Sequence, residues 1–254
     1  ANVRRVRCDA SDDGDVRAVV NALCGAGLQV RGLFHAAHQL ADAALVNQNV
    51  LNFRATYGPK VHGAAALHAA SWHTPLRLFN VFSSIAGLMG SPGQAPHSAA
   101  NSWLDAMVSW RYRGGMPCQG VIWGAVAEIG YAARAGADRR AEVSGSGAIS
   151  RTVAVTALSR TLLAACRSFA VLPADWSKLL AGSSEARGLL APYYHLRSAN
   201  GPARASETAG GTSALEKSEL GLDAVLELVR LTAGGFVDVD APLMEAGVDS
   251  LGAV

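Results

Sequence analysis

An α/β fold built on a doubly wound parallel sheet is predicted for the first two-thirds of this 254-residue sequence. Three observations predict it. Short apolar runs alternate with longer helical patterns up to about residue 172, which is the order of strand–helix–strand units. The run Leu76-Arg77-Leu78-Phe79-Asn80-Val81-Phe82 is largely apolar instead of alternating, as suits a strand covered on both faces. Half of all residues are hydrophobic (50%), enough for a sizeable core.

The elements follow in order. Residues 3–8 read as a first strand. Residues 12–25 read as a helix, with Asp12 and Asp13 at its start, where carboxylates cap free N–H groups. Residues 30–37 form a buried strand and 47–71 a long helical pattern. Residues 76–82 are the next strand, and 95–113 a helix. Residues 120–123 are a strand, 150–167 a helix and 169–172 a closing strand. Open parallel sheets bind ligands beyond the carboxyl ends of their strands. Those ends fall at Asp9, at Ala37-His38, at Ser83-Ser84 and at Trp123-Gly124, which are expected to converge on one crevice.

Residues 183–214 change character: they are rich in Gly, Ala, Ser, Pro and Arg, and read as a linker. Beyond them, Leu222, Val225, Leu226 and Val229 have helical spacing, Gly234-Gly235 breaks the pattern, and a new helix opens at Asp249. The division expected is therefore 1–182, 183–214 and 215–254.

Net charge is +2 with acids and bases interspersed, which argues against nucleic acid and membrane-surface partners. Cys8, Cys24, Cys118 and Cys166 are far apart and lack zinc spacing, so free thiols of a reducing cytosol are expected, with no metal site. His62, His68 and His73 have no convincing zinc spacing either and read as surface residues. No apolar run is long enough for a membrane span, and no signal peptide is visible. A cytoplasmic location is expected. The sequence starts at Ala1 and stops at Val254 in mid-pattern, so both ends are expected to be cuts.

The run Phe82-Ser83-Ser84-Ile85-Ala86-Gly87-Leu88-Met89-Gly90-Ser91-Pro92-Gly93-Gln94, with Gly58-Pro59-Lys60-Val61-His62-Gly63, His35-Ala36-Ala37 and Trp123-Gly124, resembles the ketoreductase domain of type I polyketide synthases. That family consists of short-chain dehydrogenase/reductases with a Rossmann-like fold. The resemblance covers residues 1–180 and implies NADPH-dependent reduction of a carrier-bound 3-oxoacyl thioester. Hydride delivery builds negative charge on a ketone oxygen, which needs a hydrogen-bond donor and a proton source. By resemblance, Ser84 polarises that oxygen, while Lys60 and Asn101 tune and orient the acid. Asp9, Ala36, Ala37, Trp123 and Gly124 match cofactor-binding positions. Asp9 also reads as a cap for the turn into the next helix. Asp42, in Leu40-Ala41-Asp42, resembles one half of the stereochemical fingerprint of B-type members, and Met89 stands where A-type members carry a tryptophan.

Two positions depart from the family. In Ala95-Pro96-His97-Ser98-Ala99-Ala100-Asn101, His97 replaces the tyrosine that donates the proton. Loss of reduction, with the domain surviving as scaffold, is one reading. Proton donation by an imidazolium is the other, favoured by an ordinary pKa of ~6.5 and opposed by a neighbouring Lys60 cation. A free-standing short-chain dehydrogenase is a further alternative. His38 stands where the family has a glycine, and an imidazole there crowds the nicotinamide or forces a local rearrangement. His35 reads as a partly buried residue at a strand end. The glycine-rich phosphate turn is absent, and is expected upstream of Ala1. The run Val143-Ser144-Gly145-Ser146-Gly147 is in the wrong context for one and reads as part of a mobile lid.

Asp240-Ala241-Pro242-Leu243-Met244-Glu245-Ala246-Gly247-Val248-Asp249-Ser250-Leu251 is similar to the serine signature of an acyl-carrier domain. This implies a 4'-phosphopantetheine arm on Ser250, at a helix start where free N–H groups favour a phosphodiester. A plain helix cap is the alternative. The partners implied are the carrier-bound polyketide intermediate, other synthase domains and a phosphopantetheinyl transferase.

Overall fold

The protein is described from a computed structural model, which covers residues 3–127, 145–163, 167–182 and 187–196. Four parallel strands form its sheet in the order β1 (Gly32–His35), β2 (Leu78–Ser84), β3 (Gln119–Trp123) and β6 (Ser168–Val171). A separate parallel pair joins β4 (Ala125–Val126) to β5 (Ala148–Ile149). Registers run Gly32 opposite Leu78, Ser84 opposite Trp123, and Trp123 opposite Val171. All four strands therefore finish along one edge.

Side-chain alternation along β2 puts helices on both faces. Phe79 and Val81 are fully buried in a cluster with Ala64 of α3 (Gly63–Ala70) and Leu104, Met107 and Val108 of α5 (Ala95–Arg113). Asn80 points the other way. Its amide donates to Gln119 Oε1 (3.2 Å), and Gln119 Nε2 donates to the Thr161 carbonyl (2.7 Å) of α6 (Arg151–Leu163). This chain of buried polar bonds ties α6 to the face opposite α5, while Asn80 Oδ1 takes no partner among the described residues.

The predicted elements are largely present, with local corrections. α1 (Asp13–Gly25) is capped by Asp12, whose carboxylate accepts from Asp15 N at 2.9 Å, and it buries Val16 and Val20, four residues apart, on one face. Residues 3–8 are not a strand: no ladder pairs them among the described residues, and Val3 and Val6 are exposed. A run such as Val3-Arg4-Arg5-Val6-Arg7-Cys8 makes a strand only where a neighbouring strand supplies hydrogen bonds.

The long helical pattern over 47–71 is three pieces: α2 (Val50–Tyr57), a π turn (Gly58–His62) and α3. Pro59 causes the break, since it brings no N–H and its ring collides with the preceding turn. α5 keeps both predicted ends and stops at Gly114-Gly115, the latter at φ +70°. The Gly145-Ser146-Gly147 end of the expected lid is docked. Gly145 O accepts from Asp175 N (2.8 Å), and a Cβ on Gly147 would lie 2.5 Å from the Pro173 carbonyl oxygen. Residues 187–196 of the expected linker are helical instead, Arg187–Leu190 followed by a 3-10 stretch over Ala191–Leu196, with Leu190 buried against Leu179 and Leu180. Val143, Ser144, the rest of the linker and the predicted carrier segment with Ser250 lie outside the described residues. No helix among the described residues is long and apolar enough to cross a membrane.

Candidate active site

The π turn carries Lys60 inward. The side chain is only 4% exposed, and its ammonium donates to Asn101 Oδ1 (2.8 Å) and to the Phe82 carbonyl (3.2 Å). Burial lowers the Lys60 pKa to about 8, with Asp105 opposing that fall. Asn101, fully buried on α5, uses its other end to donate to the His97 carbonyl (2.8 Å), one helical turn earlier. A continuous chain of bonds therefore links the sheet, Lys60, Asn101 and the backbone of residue 97. Ser84 ends β2 two residues beyond Phe82, and its hydroxyl accepts at 3.2 Å from the N–H of Ala86, which opens the short α4 (Ala86–Met89).

His35 supports this arrangement without facing the crevice as a reactant. It is buried at the end of β1, and Nε2 donates to the Lys60 carbonyl at 2.9 Å. Gly63 permits that approach, because a Cβ there would come within 3.0 Å of the His35 ring and 3.1 Å of the Ala10 carbonyl oxygen.

His97 is half-buried, and its Nδ1 is a buried atom without a hydrogen-bond partner. Burial above all, then the Lys60 cation and His38, push its pKa down to about 3. The ring is a neutral imidazole at neutral pH. His38 is lowered as well, first by burial and then by Lys60. The imidazoles of His38 and His97 and the ammonium of Lys60 therefore crowd one small region.

Of the predicted cofactor positions, Trp123 and Gly124 lie at the end of β3, beside the Ser84 end of β2. Trp123 O accepts from Ile85 N, and Gly124 N donates to Val171 O, both at 2.9 Å. Ala36 is exposed and Ala37 half-buried, just past β1. Asp9 is exposed, and its carboxylate takes both the N–H (2.9 Å) and the hydroxyl (2.6 Å) of Ser11, which holds its pKa below the ordinary value. Asp42 accepts from Gln94 Nε2 at 2.8 Å, and Ala43 N donates to Gly93 O at 3.0 Å, so the loop after β1 is tied to the approach to α5. Sequence reasoning missed Gln94 and Asp105. The eight-residue interval from His97 to Asp105, two turns on the same helix face, is the signal that could have exposed the second.

The family model of the KR domain matches residues 1–128. The chain belongs to the KR domain family. It is 36% identical over 267 aligned residues to a phthioceranic/hydroxyphthioceranic acid synthase of Mycobacterium tuberculosis, covering 98% of this chain and 12% of that relative. It is 34% identical to a mycocerosic acid synthase-like polyketide synthase of Mycolicibacterium smegmatis, covering 97% and 12% respectively. The chain thus spans about an eighth of these synthases. Among solved structures, the ketoreductase from the first module of phoslactomycin biosynthesis in Streptomyces sp. HK803 superposes with a TM-score of 0.68 at 27% identity, over 72% of this chain and 42% of that one. An A1-type ketoreductase superposes with a TM-score of 0.67, also at 27% identity, over 70% and 38%. These matches support the Rossmann-like α/β fold of a modular polyketide synthase ketoreductase.

KR domains use NADPH. The described residues of this chain show no phosphate cradle for it. The positive-φ glycines Gly27, Gly90, Gly93, Gly115, Gly145 and Gly147 include none in a strand-to-helix turn, where a dinucleotide needs one. The described residues therefore do not by themselves fit the whole cofactor.

Proposed function

We propose that this KR domain keeps the frame that orients a 3-oxoacyl thioester but has lost the acid, so that it serves a polyketide synthase as a non-reducing scaffold. The observation that carries this reading is a half-buried histidine in the acid's place, its Nδ1 without a hydrogen-bond partner and the Lys60 cation near it. A general acid must hold a proton it can release at working pH. An imidazole whose conjugate acid has a pKa of about 3 holds no such proton near neutrality, and neutral imidazole N–H is far too weak an acid to take over. Ser84, Lys60 and Asn101 remain as the oxygen-polarising and acid-tuning positions. The cofactor-side positions are Asp9, Ala36, Ala37, Trp123 and Gly124.

The same proposal divides the chain into a KR part over 1–182, a linker over 183–214 and the start of an acyl-carrier domain over 215–254, with 4'-phosphopantetheine on Ser250. Its support is the signature around Asp249-Ser250, and a similarity to synthase relatives that runs over 98% of the chain, well past the KR match at residue 128. The partners are then a carrier-bound intermediate, neighbouring synthase domains and a phosphopantetheinyl transferase.

Reduction is tested with NADPH and a 3-oxoacyl thioester in the synthase that carries this segment. Wild type and His97→Ala are expected to share one background rate; turnover that His97→Ala abolishes would overturn the scaffold reading. The carrier assignment is tested by intact mass after incubation of the complete carrier domain with coenzyme A and a phosphopantetheinyl transferase. A gain of one phosphopantetheine that disappears in Ser250→Ala is expected, and no gain contradicts it.

A further inference from the structure

Lys60 is a cation almost sealed from water, and its two hydrogen-bond acceptors, Asn101 Oδ1 and the Phe82 carbonyl, are neutral. A buried ammonium needs a compensating charge or it gives up its proton. Four titratable side chains face it from the surrounding elements: His35 from β1, His38 from the loop after β1, and His97 and Asp105 from α5. All three imidazoles have lowered pKa values, burial being the first cause in each case, and are neutral near pH 7. Among these neighbours only Asp105 can carry the opposite charge.

The geometry puts Asp105 in place for this. His97, Asn101 and Asp105 succeed one another at four-residue intervals, so they share one face of α5, the face that Lys60 meets through Asn101. Both carboxyl oxygens of Asp105 are buried and take no hydrogen bond among the described residues, and the carboxyl acts on Lys60 through space without direct ion-pair contact. Ser83, whose hydroxyl also reaches the Asn101 carbonyl at 3.4 Å, lies beside the carboxyl. Burial raises the Asp105 pKa, while Ser83 and Lys60 oppose the rise.

We propose that Asp105 is a positioning residue of this site, the counterion that keeps the Lys60 ammonium charged and held against Asn101. The inference rests on the reading of Lys60 and Asn101 as the acid-tuning pair. It adds a fourth member to that frame, one that touches no substrate and acts through Lys60. It also accounts for a frame that stays charged although its acid has changed.

The test follows Lys60 itself and needs no catalysis, so its failure is separate from failure of the scaffold reading. The sequence has three lysines, Lys60, Lys178 and Lys217, so the 13Cε signals of a lysine-labelled full chain are few, and Lys60→Arg identifies the one in question. Wild-type Lys60 is expected to titrate with a midpoint near 8. Asp105→Asn is expected to lower that midpoint by about one unit or more, the size of effect that loss of a nearby opposite charge produces, and Asp105→Glu to restore most of it. An unmoved midpoint in Asp105→Asn overturns the proposal. If Asp105→Asn does not fold, the carboxyl carbon of Asp105 in the wild-type chain decides. An ionised carboxylate at neutral pH supports the counterion role, and a protonated one overturns it.

Discussion

Replacing His97 with tyrosine is expected to raise NADPH-dependent reduction of a 3-oxoacyl thioester by about 10²–10⁴-fold, the usual contribution of a positioned general acid. The measurement is NADPH consumption by a complete ketoreductase domain containing this segment. The parts that would serve the new phenol are in place. Asn101 fixes the backbone of residue 97 through its 2.8 Å bond to the carbonyl, and Lys60 stands close enough to depress the imidazole now there. A cation that disfavours an imidazolium favours a phenolate, so the feature that silences histidine would activate tyrosine. His38 shares the region with His97. Adding His38→Gly to His97→Tyr is therefore expected to raise turnover further, while His38→Gly alone gains nothing because no acid is present. Absence of any gain from His97→Tyr with His38→Gly would show that the damage lies outside these two positions.

The second large effect concerns stability. Asn101→Leu keeps approximate volume but removes the 2.8 Å acceptor of a buried ammonium and the donor to the His97 carbonyl. A hydrogen bond to a charged group contributes about 1.5–3 kcal/mol, and an uncompensated buried donor adds its desolvation cost. A loss of about 3 kcal/mol is expected, read as a lower urea midpoint at unchanged slope. Lys60→Met removes the charge itself and is expected to cost less. The double variant is expected to recover part of the Asn101→Leu loss, because no buried cation is then left without its partner. Simple additivity of the two single losses would argue that the side chains do not act as a unit.

Much of the scaffold was legible in the sequence because it follows from local rules. The apolar run of β2 announced a strand covered on two faces, and the helical pattern over 95–113 matched the observed span of α5. Parallel strand ends placed Ser84 and Trp123 together, and the register confirms it. What failed was set by non-local partners. Residues 3–8 have strand composition, but no strand pairs with them among the described residues. Pro59 was read as part of a family motif, though its more immediate effect is to open the π turn that turns Lys60 inward. Gln94 and Asp105 escaped because their roles arise from side chains far away in sequence, Asp42 and Lys60. The charge state of His97 was open for the same reason: residue type gives the ordinary pKa, while burial beside Lys60 and His38 gives the actual one.

That charge state is measurable directly. With histidine labelled at 13Cε1, the seven imidazoles of the chain can be followed by NMR against pH, and the His97 signal assigned by its loss in His97→Phe. The scaffold account predicts that this one signal stays at its neutral position from about pH 8 down to about pH 5, with a midpoint near 3. A midpoint at or above the ordinary imidazole value of ~6.5 would contradict it and restore His97 as a proton donor.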